Sequence, residues 1–362
     1  MIKSDFTFKF KKLGALIKSL NVDALFLFSS INRLWLTNVK VDDAFCFVTA
    51  KDVYFYTDAR NFSAIKKQLD PSIHLCMYHD VNDLINFVKQ HKIKLIAIEN
   101  DYLKLNEYQK YIKPLGIESL SIDTSFIRII KTDHEIKIMQ KAADIAVNAL
   151  NEVKSWIKIG MNEIEVKTHI HQYMIQNGAS NVSFDLIVAF GKNTANPHHI
   201  SNETILKNNS LVLIDIGCIY KGYCSDLTRT FYIGNKKPNK KIEHMYQLIL
   251  EAQYLGLKNA QANIAGKTLD VIVRKFIYKD KIFGKCFTHG LGHGVGIEIH
   301  EAPYISPTYH ELVPANSVIT IEPGVYLEGF GGVRIEDSVV ITQNKPINLT
   351  INADKNFWLR NK

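Results

Sequence analysis

The chain has 362 residues, 46% hydrophobic and 22% charged, with a formal net charge of +8. That length suits two domains, the apolar content is that of a globular protein, and no run of about 18 apolar residues is present to cross a membrane as a helix. The lysines are dispersed, with the densest group in Lys236–Lys241 and no basic stripe interleaved with aromatics, so no nucleic-acid partner is expected.

The N-terminal third alternates between helix and strand patterns. Phe8–Leu20 has helical periodicity and Ala24–Phe28 reads as a strand. Ala44–Thr49 and Val53–Thr57 read as strands joined by a Lys-Asp turn. Phe62–Leu69 is helical, His74–Tyr78 a strand, Val81–Gln90 helical and Lys94–Glu99 a strand, followed by a helix at Leu103–Ile112 and a strand at Ile117–Ile122. This alternation predicts a three-layer α/β domain over residues 1–125. It carries no metal-ligand cluster and no glycine-rich phosphate loop, so a scaffold or oligomerisation role is expected.

The second domain is predicted over residues 126–362. Thr132 and Glu135 form a capping box at the start of a long helix with apolar positions at Ile136, Met139, Ala143, Ile145 and Leu150. Helices follow at 162–175, 243–260 and 268–278. With the antiparallel strands described next, they predict an α+β domain.

Asp215, Asp226, His293, Glu322 and Glu336 lie in segments that otherwise promise burial: Leu-Val-Leu-Ile-Asp215-Ile-Gly, Tyr-Cys-Ser-Asp226-Leu-Thr, Gly-Leu-Gly-His293-Gly-Val-Gly, Thr-Ile-Glu322-Pro-Gly and Val-Arg-Ile-Glu336-Asp. A buried carboxylate is costly unless something cationic neutralises it. A turn centred on Tyr220 and Lys221 would set Asp215 opposite Asp226, and one centred on Gly329 would set Glu322 opposite Glu336. Like charges so placed repel unless a divalent cation lies between them. Taken singly, Asp215 or Asp226 reads as a bulge or edge residue, Glu322 as a partner for Arg334, and His293 as a turn histidine. Asp337 reads as solvated or paired. The joint occurrence points to a two-metal site.

These segments resemble those of the pita-bread metallopeptidases, which include methionine aminopeptidases, prolidases, Xaa-Pro aminopeptidases and metal-free creatinase relatives. The resemblance rests on the five segments above together with His289-Gly-Leu-Gly-His293, Ile-His300-Glu, Ile-Glu322-Pro-Gly-Val-Tyr326 and Gly-Val-Arg334-Ile-Glu336-Asp. It implies a creatinase-like N-terminal domain before a pita-bread catalytic domain, and five metal ligands: Asp215, Asp226, His293, Glu322 and Glu336. It implies that His198, in Asn-Pro-His198-His199, contacts substrate or shuttles a proton, that His300 is a second such histidine, and that His289 lines the pocket. His199 reads as a surface or turn residue. Tyr326 and Arg334 would hydrogen-bond to the metal-binding carboxylates.

The activity so implied is that of an Xaa-Pro aminopeptidase: release of the first residue from peptides with proline second, with Glu322, His198 and His300 as catalytic groups. Four oxygen donors and one nitrogen suit a hard divalent ion, Mn²⁺ first, with Co²⁺ or Zn²⁺ as alternatives. A prolidase acting on Xaa-Pro dipeptides is the alternative. Some prolidases carry an arginine where Tyr304 stands here, a cation suited to a free carboxylate. A catalytically silent peptide-binding module is the third reading, opposed by the intact ligand set. A homodimer is expected from the resemblance. Met1–Thr7 lacks an apolar leader, and the five cysteines are odd in number without a Cys-x-x-Cys pair, so a reducing cytoplasm is expected.

Overall fold

The computed structural model describes residues 3–360, so Met1 and Ile2, on which part of the leader reading rests, lie outside the described residues. The chain divides into two compact units, Met1–Arg128 and Ile129–Lys362.

The first unit runs α1 (Lys3–Leu20), β1 (Ala24–Leu27), α2 (Ser30–Thr37), β2 (Ala44–Thr49), β3 (Val53–Thr57), α3 (Ala59–Lys66), β4 (His74–Met77), α4 (Val81–Gln90), β5 (Leu95–Glu99), the short α5 (Leu105–Glu107) and β6 (Glu118–Ile122). The strands form one mixed sheet ordered β4-β3-β2-β1-β5-β6. Side chains alternate across it. Phe26, Phe47, Tyr56 and Ile96 pack with Leu84, Phe87 and Val88 of α4. The intervening Leu25, Cys46, Val48 and Phe55 are equally buried, and α1 and α2 contact β2. The result is the expected three-layer arrangement. Helix α2 was not read from the sequence, although its ends carry signals. Ser29 caps the Asn32 amide, and Asn38 closes the helix in the left-handed region at φ 59°. Helix α3 begins earlier than expected because the Asp58 side chain accepts from the Arg60 amide.

The second unit contains two helix pairs, each laid over antiparallel strands. The first pair is α6 (Asp133–Trp156) and α7 (Glu163–Gln176); after it come β7 (Asn181–Val182), β8 (Ile187–Phe190), β9 (Ser210–Ile216), β10 (Cys218–Tyr220), β11 (Tyr223–Cys224) and β12 (Leu227–Ile233). Both helices start with capping boxes, Thr132 with Glu135 and Asn162 with Glu165. Leu150, Ile170, Val188, Ile214 and Phe231 join helices and strands in one core. The second pair is α8 (Lys240–Asn259) and α9 (Gly266–Tyr278), followed by β13 (Gly292–Gly294), β14 (Glu301–Ile305), β15 (Val318–Ile321), β16 (Gly324–Leu327), β17 (Gly331–Arg334), β18 (Asp337–Val340), β19 (Ile347–Asn348) and β20 (Trp358–Leu359). Ile249, Leu269, Val273, Ile321 and Val339 form its core.

The first hairpin corrects the sequence reading. Tyr220 pairs with Tyr223, and Asp215 pairs with Thr228 rather than with Asp226. Lys221 and Gly222 both adopt positive φ, at 48° and 86°. That is the two-residue turn whose twist matches a hairpin, and it moves the turn centre one residue along. The second hairpin keeps the expected register: Gly324 pairs with Arg334, and beyond the break at Pro323, Ile321 pairs with Asp337. Glu322 and Glu336 therefore leave the two chains at the same level.

Candidate metal centre

Strand alternation delivers the acidic side chains to a common face. In β9, Val212, Ile214 and Ile216 belong to the core under α6 and α7, so Asp215 points the other way, level with Ile187 of β8 and Thr228 of β12. Asp226 sits in the short gap between β11 and β12. On the second hairpin, Val333, Ile335 and Val339 belong to the core under α8 and α9. Arg334 and Glu336 must then face away from it. His293 comes from β13, where a Cβ on Gly292 would stand 2.1 Å from the Thr320 carbonyl oxygen. Only glycine permits that approach of β13 to β15.

All five of these acids and histidine line one cavity of about 760 Å³, whose walls also include His198, His289, His300, Phe184, Tyr304 and Arg334. Asp226, His293 and Glu336 offer ligand atoms within 4.8 Å of one another. His293 Nε2 lies 3.5 Å from both Asp226 Oδ2 and Glu322 Oε1. The Nδ1–H of His293 donates to the Gly294 carbonyl at 3.0 Å. That fixes the tautomer and leaves the Nε2 lone pair facing the carboxylates.

Burial pushes Asp226 and Glu336 well above the usual carboxylate range, with the neighbouring carboxylates adding to it. Burial likewise lifts Glu322 to about 8, with the Asp215 charge adding to it and Arg334 opposing. Burial lowers His293 to about 3, helped by His300. His289 is lowered to about 4 by burial and by Arg334, and His300 is lowered by burial. Three acids that resist ionising stand beside three histidines that resist protonation, which is the signature of a site built around an external cation. Asp215 makes the same point geometrically. Its Oδ2 takes a hydrogen bond from Arg334, while its Oδ1 is buried with no hydrogen-bond partner. An orphaned carboxylate oxygen is costly unless a cation fills the gap.

A hydrogen-bond chain runs behind these groups. His289 Nδ1–H donates to the Gly290 carbonyl at 2.7 Å, and its Nε2 accepts from the Tyr326 hydroxyl at 3.1 Å. Tyr326 accepts from Arg334 Nη1 at 2.7 Å. Arg334 Nε donates to Thr228 Oγ1 at 3.1 Å, and Thr228 donates to Glu336 Oε2 at 2.7 Å. Thr228 escaped the sequence reading. Its signal was available, because it lies two residues after Asp226 and so shares a strand face with the site.

His198 is exposed on the cavity rim, its backbone N–H held by Asn196 Oδ1 at 3.0 Å. His300 is exposed on another wall, its ring 4.3 Å from that of His293. One reading needs correction: His199 is not a surface or turn residue. Its Nε2 pairs at 2.7 Å with Glu163, a fully buried acid that also accepts from the Phe190 amide and Asn193. His199 therefore ties the loop carrying His198 to the start of α7. Asp337, read as solvated or paired, is paired: it points under α8 and accepts from Arg229, Gln253, Lys355, Asn348 and Thr350 at 2.6–3.0 Å.

Comparison with known proteins gives the following. The profile described as "Metallopeptidase family M24" matches residues 137–343, and that of the "Creatinase/Prolidase N-terminal domain" matches residues 9–129. An Xaa-Pro dipeptidase of Pyrococcus horikoshii is 39% identical over 274 residues, covering 69% of this chain and 77% of that protein. Among solved structures, an Xaa-Pro dipeptidase from Bacillus anthracis superposes with a TM-score of 0.93 at 32% identity, over 98% of this chain and 100% of its own. An X-Pro aminopeptidase from Thermotoga maritima superposes with a TM-score of 0.87 at 31% identity, over 94% and 99%.

Proposed function

The chain belongs to metallopeptidase family M24, with a creatinase/prolidase N-terminal domain ahead of the pita-bread unit, and we propose that it removes the first residue from peptides with proline in second position. The observation that carries this reading is the convergence of Asp215, Asp226, His293, Glu322 and Glu336 on one cavity, with Asp215 Oδ1 buried and lacking a partner.

These five residues are the proposed ligands for two divalent ions, and Mn²⁺ suits four oxygen donors with one imidazole. When bound, the ions would supply Lewis acidity at the scissile carbonyl and lower the pKa of the attacking water. The chain's own groups do the rest. Thr228 and Arg334 hold Glu336 and Asp215 in place through the hydrogen bonds described above. Glu322, steadied by Thr320, receives the proton released by the attacking water on a carboxylate oxygen. It passes that proton to the prolyl nitrogen as the peptide C–N bond breaks. Partial desolvation of the His300 ring at the cavity wall lowers its pKa and favours the neutral form, and its ring N–H donates to the oxyanion that forms on the carbonyl. His198, on the rim, grips the substrate, and His289 holds Tyr326 in place.

The cavity walls favour an aminopeptidase over a dipeptidase. Among the described residues that line it, Arg334 is the only lysine or arginine, and it is committed to Asp215, Tyr326 and Thr228. A free carboxylate just after proline has no cation there to meet, and Tyr304 stands on the wall instead. The prolidase reading retains support from the names of the two dipeptidase relatives. The reading also includes a homodimer, by family likeness, and a reducing cytoplasm, in keeping with five cysteines that are all free.

The test is hydrolysis of Xaa-Pro and Xaa-Pro-Yaa peptides after chelation and re-addition of Mn²⁺. Metal-dependent cleavage that favours the tripeptide supports the proposal. Cleavage confined to dipeptides converts it to prolidase, and no cleavage by folded, metal-loaded protein refutes it. Sedimentation velocity on the same samples tests the dimer.

A further inference from the structure

The loop between His293 and His300 is closed at its base by β13 and β14, where Gly294 pairs with Glu301. The two ends of this loop thus carry a proposed ligand and a proposed catalytic group. Their rings meet edge to face at 4.3 Å. The loop interior is filled by a side chain that no part of the mechanism above uses. A Cβ on Gly296 would stand 2.2 Å from Glu301 Oε1, so the Glu301 carboxylate occupies the space that a side chain at 296 would need. The Gly296 amide, meanwhile, turns back to the Glu298 carbonyl at 3.0 Å.

That carboxylate is met by Lys131, whose Nζ donates to Glu301 Oε1 at 2.7 Å, with the two side chains only 2% and 1% exposed. Lys131 is itself pinned. Its backbone N–H donates to the Asn316 carbonyl at 2.8 Å, just ahead of β15, and its Nζ also reaches the Ile129 carbonyl at 3.3 Å. A buried ion pair across 170 residues of sequence is a poor source of net stability, because desolvation cancels much of the attraction. What it does supply is fixed geometry: Glu301 cannot move without stranding a charge, and His300 is the adjacent residue.

We propose that Lys131 is a positioning residue for His300, acting through Glu301. The ion pair sets the height of His300 above the ligand end of the cavity. The proposal rests on the role given to His300 under the proposed function. A misplacement of about 1 Å of a group that must meet the transition state costs on the order of 100-fold in rate.

The experiment uses full-length, zinc-loaded protein labelled at histidine Cε1, with the His300 resonance identified by its loss in His300→Ala. Lys131→Met is expected to shift that resonance, leave metal content unchanged, and lower kcat by roughly 100-fold at nearly constant KM. Lys131→Arg keeps the cation and is expected to restore both the resonance and most of kcat. In a His300→Ala background, Lys131→Met is expected to add no further loss. The paired variant Lys131→Met with Glu301→Gln removes both charges at similar volume. It carries the same resonance test if the single variant does not fold. An unmoved His300 resonance in a folded variant, or losses that multiply in the double variant, overturns the proposal. Failure of the peptidase reading is distinct from this: the wild type would not turn over, while the His300 resonance would still answer for Lys131.

Discussion

Removing the metal should make this protein lose stability as pH rises through neutrality. Glu322 is lifted from 4.5 to about 8 in the folded chain without metal. A carboxyl whose folded pKa is raised stabilises the fold fully below its unfolded pKa. That contribution fades as pH climbs through the folded value, because the folded state then holds a proton the unfolded state has released. At about 1.4 kcal/mol per pKa unit, Glu322 alone should cost about 1 kcal/mol between pH 7 and 8. Asp226 and Glu336 are held well above their usual range and act with the same sign, up to about 1.4 kcal/mol each over that unit. His293 and His289 are lowered to about 3 and about 4, so their contribution runs the other way. It is lost as pH falls below about 6.5 and is nearly complete by pH 7. The window from pH 7 to 8 therefore isolates the carboxylates. With metal bound these acids are already ionised, so the slope should vanish. The assay is urea unfolding at pH 7.0, 7.5 and 8.0, in chelator and in excess Mn²⁺, with hydrogen exchange in β9, β12 and β18 assigning the transition to the second unit. Chelated protein that holds or gains stability over this window, relative to the loaded protein, would refute the electrostatic account of the site.

Three further outcomes are expected. Thr228→Val removes the hydroxyl that donates to Glu336 and accepts from Arg334; metal affinity by calorimetric titration should fall about 10- to 100-fold, and unchanged affinity would remove Thr228 from the site. His300→Ala should lower kcat by about 100- to 1,000-fold with both metals retained in elemental analysis; loss of metal would instead make His300 a ligand. Arg229→Met leaves the fully buried Asp337 short of one cationic partner, and urea unfolding should show a loss of about 3 kcal/mol, whereas a change below about 0.5 kcal/mol would mark the pair as energetically idle.

Much of the site was legible in the sequence because its signals are short-range. Acids set inside β-branched runs announce a buried charge, and strand alternation then decides direction. Glu336 and Asp337 are neighbours in the chain, yet one faces the cavity and the other lies under α8. A Thr-x-x-Glu spacing is enough to start α6, since the cap and its partner lie within one turn. The turn at Gly329 could be centred, and with it the level of Glu322 and Glu336. The turn at Lys221 and Gly222 could not, since a shift of one residue in a turn costs little locally and is decided by which pairings the rest of the sheet accepts.

Other features belong to tertiary structure alone. His199 looked like a turn residue because its partner Glu163 is 36 positions earlier. The chain from His289 through Tyr326, Arg334 and Thr228 to Glu336 joins three strands and two loops, and Lys131 reaches Glu301 across 170 positions. A periodic pattern can say that a side chain turns inward. It cannot say what it will meet there, because that depends on which segments pack together once burial of apolar surface has closed the fold. The kinds of groups and their facing were therefore written locally, and their pairing was decided only when distant strands came into contact.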